Sequence, residues 1–177
     1  MYFDMKKLIV IIGPNGVGKT TTAKAFVNIY SNCAYVDSDW CRVKKPFSFT
    51  EEDKRLVVNN ISTLLRNYLL CKDVDIVFFT YTFHGERKKI FDEIINQLRK
   101  EVVFTLNIVI LKCSYEENVQ RCIKDHRNED RIKYGMEQTF EFYDKYNYPM
   151  IETTDLLPEQ VVEEISKILK LGRNETL

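Results

Sequence analysis

The chain has 177 residues, 45% of them apolar, which is enough for the core of one compact domain. Lysine plus arginine equals aspartate plus glutamate at 26 each, so the formal net charge of zero gives no global pull toward nucleic acid or an anionic membrane. No apolar run approaches the roughly 18–20 residues that a membrane-spanning helix requires.

In chain order, Leu8–Ile12 is a continuous apolar run, as expected of a strand buried on both faces. Lys6-Lys7 in front of it resembles a signal peptide only faintly, because the run is short and no small-residue cleavage site follows. Ala23, Phe26, Val27 and Tyr30 recur at helical spacing. Cys33–Val36 reads as a second strand, and Thr50 with Asp53 marks a helix start whose apolar face is Ile61, Leu64, Leu65 and Tyr68. Pro46-Phe47-Ser48-Phe49-Thr50 is the connecting loop between them. Asp75–Thr80 gives a third strand, and Ile90, Ile94, Ile95 and Leu98 the next helix. Val102–Leu111 is predicted as a fourth strand, rich in β-branched residues. Ser114-Tyr115-Glu116-Glu117 has the form of a capping box. Met150–Thr153 is a short fifth strand, and Pro158 opens a final helix with Val161, Ile165, Ile168 and Leu169 on its apolar face. Strands alternating with helices imply a parallel sheet covered by helices.

The motif that carries chemistry is Gly13-Pro14-Asn15-Gly16-Val17-Gly18-Lys19-Thr20, a match to G-x-x-x-x-G-K-[ST] set between an apolar strand and an amphipathic helix. Successive backbone N–H groups of such a loop form an anion-binding concavity, strengthened by the helix dipole. Lys19 is placed to reach the β- and γ-phosphates of a nucleoside triphosphate, the Thr20 hydroxyl to ligate Mg²⁺, and Thr21 to add a nucleotide contact.

Asp37-Ser38-Asp39-Trp40 follows the second strand directly. Ligands of open parallel sheets bind at strand carboxyl ends, which sets these aspartates beside the phosphate loop. Asp37 is expected on the metal side, and Asp39 as the base that takes a proton from a substrate hydroxyl. An aspartate here can also cap a turn. Trp40, Arg42 and Phe47 are candidate substrate contacts, with bland packing the competing role for the aromatic pair. His84, with Glu86 and Arg87, follows the third strand and adds a further substrate-side group, whereas His126 reads as a surface residue.

Arg121, Arg127 and Arg131 fall in one densely charged stretch. Phosphoryl transfer needs positive charge on the transferring group and exclusion of water, and an arginine-bearing lid supplies both. Arg127 and Arg131 would share a face if the stretch is helical. A solvated charged helix is the alternative, and the sequence leaves open which arginine reaches the phosphates. The five cysteines are odd in number and lack any C-x-x-C pair, as expected of free thiols in a cytoplasmic protein.

These parts together resemble the small P-loop kinases: shikimate, gluconate and adenylylsulfate kinases, chloramphenicol phosphotransferase, and bacterial nucleotide-kinase-like ATPases of unassigned substrate. The resemblance covers nearly the whole chain. It implies a three-layer α/β/α domain over residues 1–177, a five-stranded parallel sheet in order 2-3-1-4-5, and a lid near residues 115–134. It further implies ATP as donor, Mg²⁺, a small-molecule acceptor, and a position near the adenine for Ile151-Glu152-Thr153-Thr154, hence Thr153 as a nucleotide contact and Arg121 beside it. The sequence departs from the pattern at Phe78-Phe79-Thr80-Tyr81-Thr82, where no acidic residue ends the third strand, so Asp37 is left as the metal-side acid. The glycine triplet of shikimate kinase and the His-rich lid of gluconate kinase are also missing, so no motif assigns the acceptor. The leading expectation is an ATP-dependent kinase acting on a hydroxyl or phosphate of a small metabolite, nucleotide or antibiotic. A regulatory ATP-binding module and a polynucleotide 5′-hydroxyl kinase are the alternatives, the last weakened by the zero net charge.

Overall fold

The computed structural model describes residues 5–172. Five strands run β1 (Lys7–Ile12), β2 (Cys33–Asp37), β3 (Ile76–Thr80), β4 (Thr105–Lys112) and β5 (Met150–Glu152). Six helices connect or follow them: α1 (Lys19–Ile29), α2 (Glu51–Leu70), α3 (Arg87–Arg99), α4 (Tyr115–Lys124), α5 (Glu129–Thr139) and α6 (Pro158–Leu169). All strand pairs are parallel and the order is β2-β3-β1-β4-β5, as the resemblance implies.

The alternation of side chains along β1 divides the core. Leu8, Val10 and Ile12 point into one cluster with Val57, Ile61 and Leu65 of α2 and Ile90 and Ile94 of α3. Ile9 and Ile11 point into the other, with Ala23 and Phe26 of α1 and Val162 and Ile165 of α6. Both faces of the sheet are therefore covered, which is why β1 reads as an unbroken apolar run. Phe26 stacks on Phe78 of β3 at 4.0 Å between ring centroids and fixes α1 to the sheet. Burial of each of these rings contributes about 1.5–3 kcal/mol.

Local signals hold in most places. Thr50 Oγ1 accepts from the Asp53 N–H at 3.2 Å, and the Asp53 carboxylate accepts from the Thr50 N–H at 3.3 Å. Ser114 supplies only half of its expected box. Its hydroxyl accepts from the Glu117 N–H, but the Glu117 carboxylate is drawn to Arg121 at 2.7 Å, and the Ser114 N–H donates instead to Thr154 Oγ1. The fourth strand begins at Thr105 rather than Val102, because residues 102–104 close the turn after α3 with Val102 N–H bonded to Leu98 O. Val27 and Ile168 are 43% and 44% exposed, and Ala25 and Val162 take the buried positions beside them.

Residues 121–131 do not form one helix. Helix α4 stops at Lys124, His126 adopts a left-handed φ of 56°, and Asn128 caps α5 by accepting from the Arg131 N–H at 2.8 Å. Arg127 consequently lies in the loop, so the shared helical face with Arg131 does not exist. A small apolar cluster of Cys122, Ile132 and Met136 joins α4 to α5, separate from both main clusters. Among the described residues no helix is long and apolar enough to cross a membrane.

Candidate active site

The phosphate loop lies at the carboxyl end of β1, between β3 and β4, where the chain direction of the sheet's wiring reverses. Gly16 has φ +86°, and a Cβ there would stand 2.3 Å from Cys122 Sγ on α4. Gly13, at φ +148°, would meet the Leu111 carbonyl at 2.4 Å. These glycines let the loop sit between β4 and α4. Helix α5 touches it as well, since the Asn15 N–H donates to Thr139 Oγ1 at 3.2 Å.

Lys19 folds back along the loop and donates to the Gly13 and Pro14 carbonyls at 2.9 and 2.8 Å. Its ammonium is disfavoured by burial first and by the Arg127 charge second, which brings its pKa down to about 8; Asp39 and Asp37 oppose the shift. Arg127 is thus in electrostatic reach of Lys19, while Arg131 is exposed on the first turn of α5. Arg127 also pairs with Asp125 at 3.2 Å.

Asp37 ends β2, only 8% exposed, and its carboxylate organises the neighbouring groups. Oδ2 accepts from the Thr20 hydroxyl at 3.0 Å and from the Tyr35 hydroxyl at 2.7 Å, and Oδ1 accepts from the Asp39 N–H at 2.9 Å. Asp37 therefore caps the 3-10 turn Ser38–Arg42 and is joined to the phosphate-loop threonine at once, so both readings of this residue hold. Tyr35 was not a sequence candidate. It points to the same side of β2 as Asp37 because it lies two residues earlier, and burial raises its pKa so that it stays a donor. A hydroxyl beside a carboxylate at the strand end is a hard oxygen donor set that suits Mg²⁺.

Asp39 is exposed and pairs with Arg42 three residues on. Arg42 faces a narrow cleft lined also by Phe47, Phe49, Tyr81, Arg87 and Lys54. Trp40 does not line the cleft: it is 55% exposed and meets Tyr35 edge-on at 5.1 Å. Phe47 does line it, edge-on to Phe49 at 5.5 Å. His84 lies behind Arg87, which donates to His84 Nε2 at 2.6 Å. Arginine can only donate, so the neutral ring carries its proton on Nδ1 and donates to Thr82 Oγ1 at 3.0 Å. Burial, with the charges of Arg87, Lys19 and Arg42, lowers the His84 pKa to about 4 and keeps the ring neutral. Thr82 continues to the hydroxyl of Tyr143, which is fully buried and also accepts from the Phe83 N–H at 3.1 Å.

Arg121 is a cross-link. Its guanidinium donates to Val17 O at 3.0 Å, Thr153 Oγ1 at 3.1 Å and Thr153 O at 2.7 Å, so the phosphate loop, α4 and the turn after β5 are tied together. Thr153 is buried and donates on to Lys112 O at 2.9 Å.

The arrangement is that of a P-loop nucleotide-binding protein with the fold of the small P-loop kinases. The sequence matches the AAA domain family over residues 9–141, and the chain belongs to that family. No curated protein matches the chain at a significant level. Among solved structures it is similar to the tunicamycin resistance protein of Deinococcus radiodurans, with TM-score 0.66, 12% identity, and coverage of 94% of this chain and 98% of that one. It is similar also to a gluconokinase from Sinorhizobium meliloti, with TM-score 0.64, 13% identity, and coverage of 96% and 95%. The adenylylsulfate (APS) kinase CysC of Mycobacterium tuberculosis, solved in complex with AMPPNP and APS, gives TM-score 0.60, 14% identity, and coverage of 94% and 98%.

Proposed function

We propose that this protein is an ATP-dependent phosphotransferase that moves the γ-phosphoryl group to a small-molecule acceptor seated in the Arg42–Arg87 cleft. The observation that carries the reading is the hydrogen bond from Thr20 to Asp37, with Asp39 bonded to the same carboxylate. It joins the phosphate loop to a second carboxylate that pairs with a cleft-lining arginine, as a reaction between two bound molecules requires.

In this reading the loop amides of residues 13–20 hold the phosphates, and Lys19 leaves its two carbonyl partners to neutralise them. Thr20 and Asp37 would hold Mg²⁺, which would supply positive charge to the polyphosphate. Asp39 accepts the proton of the acceptor hydroxyl after Arg42 releases it. Arg127, in the loop between α4 and α5, carries positive charge to the transferring group, and the α4–α5 pair serves as the lid. Arg121 flanks the adenine with the face of a guanidinium whose edges are already bonded. The kinase structures with the same fold support the reaction class, and the zero net charge does not favour a nucleic-acid acceptor.

The test is ADP release with Mg·ATP across a panel of nucleosides, nucleotides, sugars, carboxylic acids and aminocyclitols. With the acceptor so found, Asp39→Asn is expected to lower kcat about 10²–10⁴-fold and to leave nucleotide affinity nearly unchanged. Full turnover in that variant sinks the base assignment. Tight nucleotide binding without transfer to any acceptor sinks the kinase reading in favour of a regulatory ATP-binding module.

A further inference from the structure

Capping a turn needs one hydrogen bond to Asp37, and the carboxylate accepts three. Oδ1 takes the Asp39 N–H at 2.9 Å, which closes the 3-10 turn. Oδ2 takes two hydroxyls, Thr20 at 3.0 Å and Tyr35 at 2.7 Å. The Tyr35 hydroxyl also lies 3.2 Å from Thr80 Oγ1. A phenol carries one hydrogen, and Tyr35 gives it to Asp37, because a carboxylate only accepts. Thr80 is therefore the donor to Tyr35, and the protons run one way, from Thr80 to Tyr35 to Asp37. The groups come from three elements. Tyr35 and Asp37 share one side of β2, Thr80 ends β3 opposite Asp37 in the parallel register, and Thr20 lies in the first turn of α1. Thr80 is buried, and Trp40 packs edge-on against the Tyr35 ring at 5.1 Å.

Two consequences follow from the direction of these bonds. Both lone pairs of Oδ2 are occupied, so only Oδ1 keeps one for a cation or for water bound to it. The Thr20 hydroxyl, with its hydrogen on Asp37, turns its lone pairs away from the carboxylate, and Thr20 is exposed. We propose that Tyr35, backed by Thr80, is a positioning residue for the cation that accompanies a bound polyphosphate. It holds Asp37 in the orientation that aims the Thr20 oxygen outward. This rests on the assignment of Mg²⁺ to Thr20 and Asp37 and adds to it the group that stands beside β3, the strand that ends without an acid. Mg²⁺ demands near-ideal octahedral geometry, so an oxygen ligand that is free to turn binds it less well. Groups that orient metal ligands typically contribute about 10- to 100-fold in metal affinity.

The test is calorimetric titration of AMPPNP in EDTA and again in excess Mg²⁺. The ratio of the two affinities is the factor by which the cation tightens nucleotide binding. Tyr35→Phe keeps the ring against Trp40 and removes only the hydroxyl. It is expected to weaken AMPPNP about tenfold in Mg²⁺ and to leave the affinity in EDTA within about twofold of wild type, which also shows that the variant is folded. Thr80→Val is expected to act in the same direction and by less. It should add nothing in the Tyr35→Phe background, because Thr80 reaches Asp37 only through the phenol. Equal weakening in EDTA and in Mg²⁺ would make Tyr35 a structural support of the loop and overturns the proposal, as does an unchanged affinity in Mg²⁺. A Thr80→Val effect that adds to that of Tyr35→Phe overturns the relay. A wild-type protein whose AMPPNP affinity is the same in EDTA and in Mg²⁺ overturns the cation assignment itself, an outcome visible before any variant is made.

Discussion

The two halves of the candidate site are built in opposite ways. The phosphate half is one contiguous segment, Gly13–Thr20, hung between a strand and the helix it starts, with Lys19 bonded within the loop and Thr20 to Asp37. The cleft half is gathered from the 3-10 turn after β2, the loop before α2, α2 itself, the residue after β3 and the first turn of α3, and it leaves the Arg87 Nε without a partner. A contiguous loop recognises a group common to many ligands, the polyphosphate, with backbone amides that any side chain permits. A cleft assembled from five segments recognises one ligand, because each wall varies independently of the others. Generic chemistry is local in the chain, and specific chemistry is distributed.

The sharpest test of that division is removal of the phosphate-side charge. Lys19→Ala is expected to lower turnover about 10³-fold or more, measured as ADP release with the panel acceptor, while acceptor affinity stays near the wild-type value. Turnover within tenfold of wild type breaks the assignment of Lys19. Loss of acceptor binding in this variant breaks the division into halves.

Titration tests the phosphate half more finely. Lys19 has its pKa lowered to about 8 in the free protein, and only its protonated form neutralises a phosphate. Bound triphosphate raises that pKa, so affinity is complete below about pH 8 and falls as pH rises above it. The decline approaches about tenfold per pH unit until the pKa of the complex is reached. Titration of Mg·AMPPNP between about pH 7 and about pH 9.5 should show this inflection, and Lys19→Arg should abolish it, since a guanidinium keeps its charge throughout. A flat nucleotide profile refutes the lowered Lys19 pKa.

The same division explains what could be read from the sequence. The phosphate loop and the Thr50–Asp53 box are set by neighbours in the chain and emerged from motif and spacing alone, whereas the sheet order came from the family resemblance that those motifs carry. Asp37 was legible because it directly ends a strand. Tyr35 shares its face of β2 and was findable by the two-residue period, but a tyrosine in a strand is ordinarily packing and carries no polar signal. The break between Lys124 and Glu129 was masked by charge density, although Asn128 is a good cap residue. The full Ser114 box failed because Arg121, one turn further along, competed for Glu117. Arg42, Phe47, His84 and Arg87 could be suspected singly. Their union with Phe49 and Tyr81, and the exclusion of Trp40 to the surface, depends on how α2 and α3 pack on the sheet, which no local pattern encodes.

Tyr143 had no signal in the sequence and is the residue that most limits the independence of the two halves. It is fully buried in the 3-10 turn Phe142–Lys145 after α5. Its hydroxyl meets Thr82 Oγ1 at 2.9 Å and the Phe83 N–H at 3.1 Å, and the Gly13 backbone amide also faces it. One oxygen thus touches the start of the phosphate loop and, through Thr82 and His84, the chain of bonds that ends on Arg87. Tyr143→Phe keeps the ring and deletes only that oxygen, leaving the Phe83 N–H buried without its acceptor. The expected loss of stability is about 1–3 kcal/mol, read from denaturant unfolding. If the hydroxyl holds both halves in register, affinities for Mg·AMPPNP and for the acceptor should each weaken by about fivefold, or ~1 kcal/mol. The paired movement is what distinguishes a link from a mere core contact. Weakening of the acceptor alone would mean that Tyr143 supports only the His84–Arg87 arm. Weakening of neither, beside the loss of stability, would mean that the halves are held apart by the sheet itself and that Tyr143 is packing.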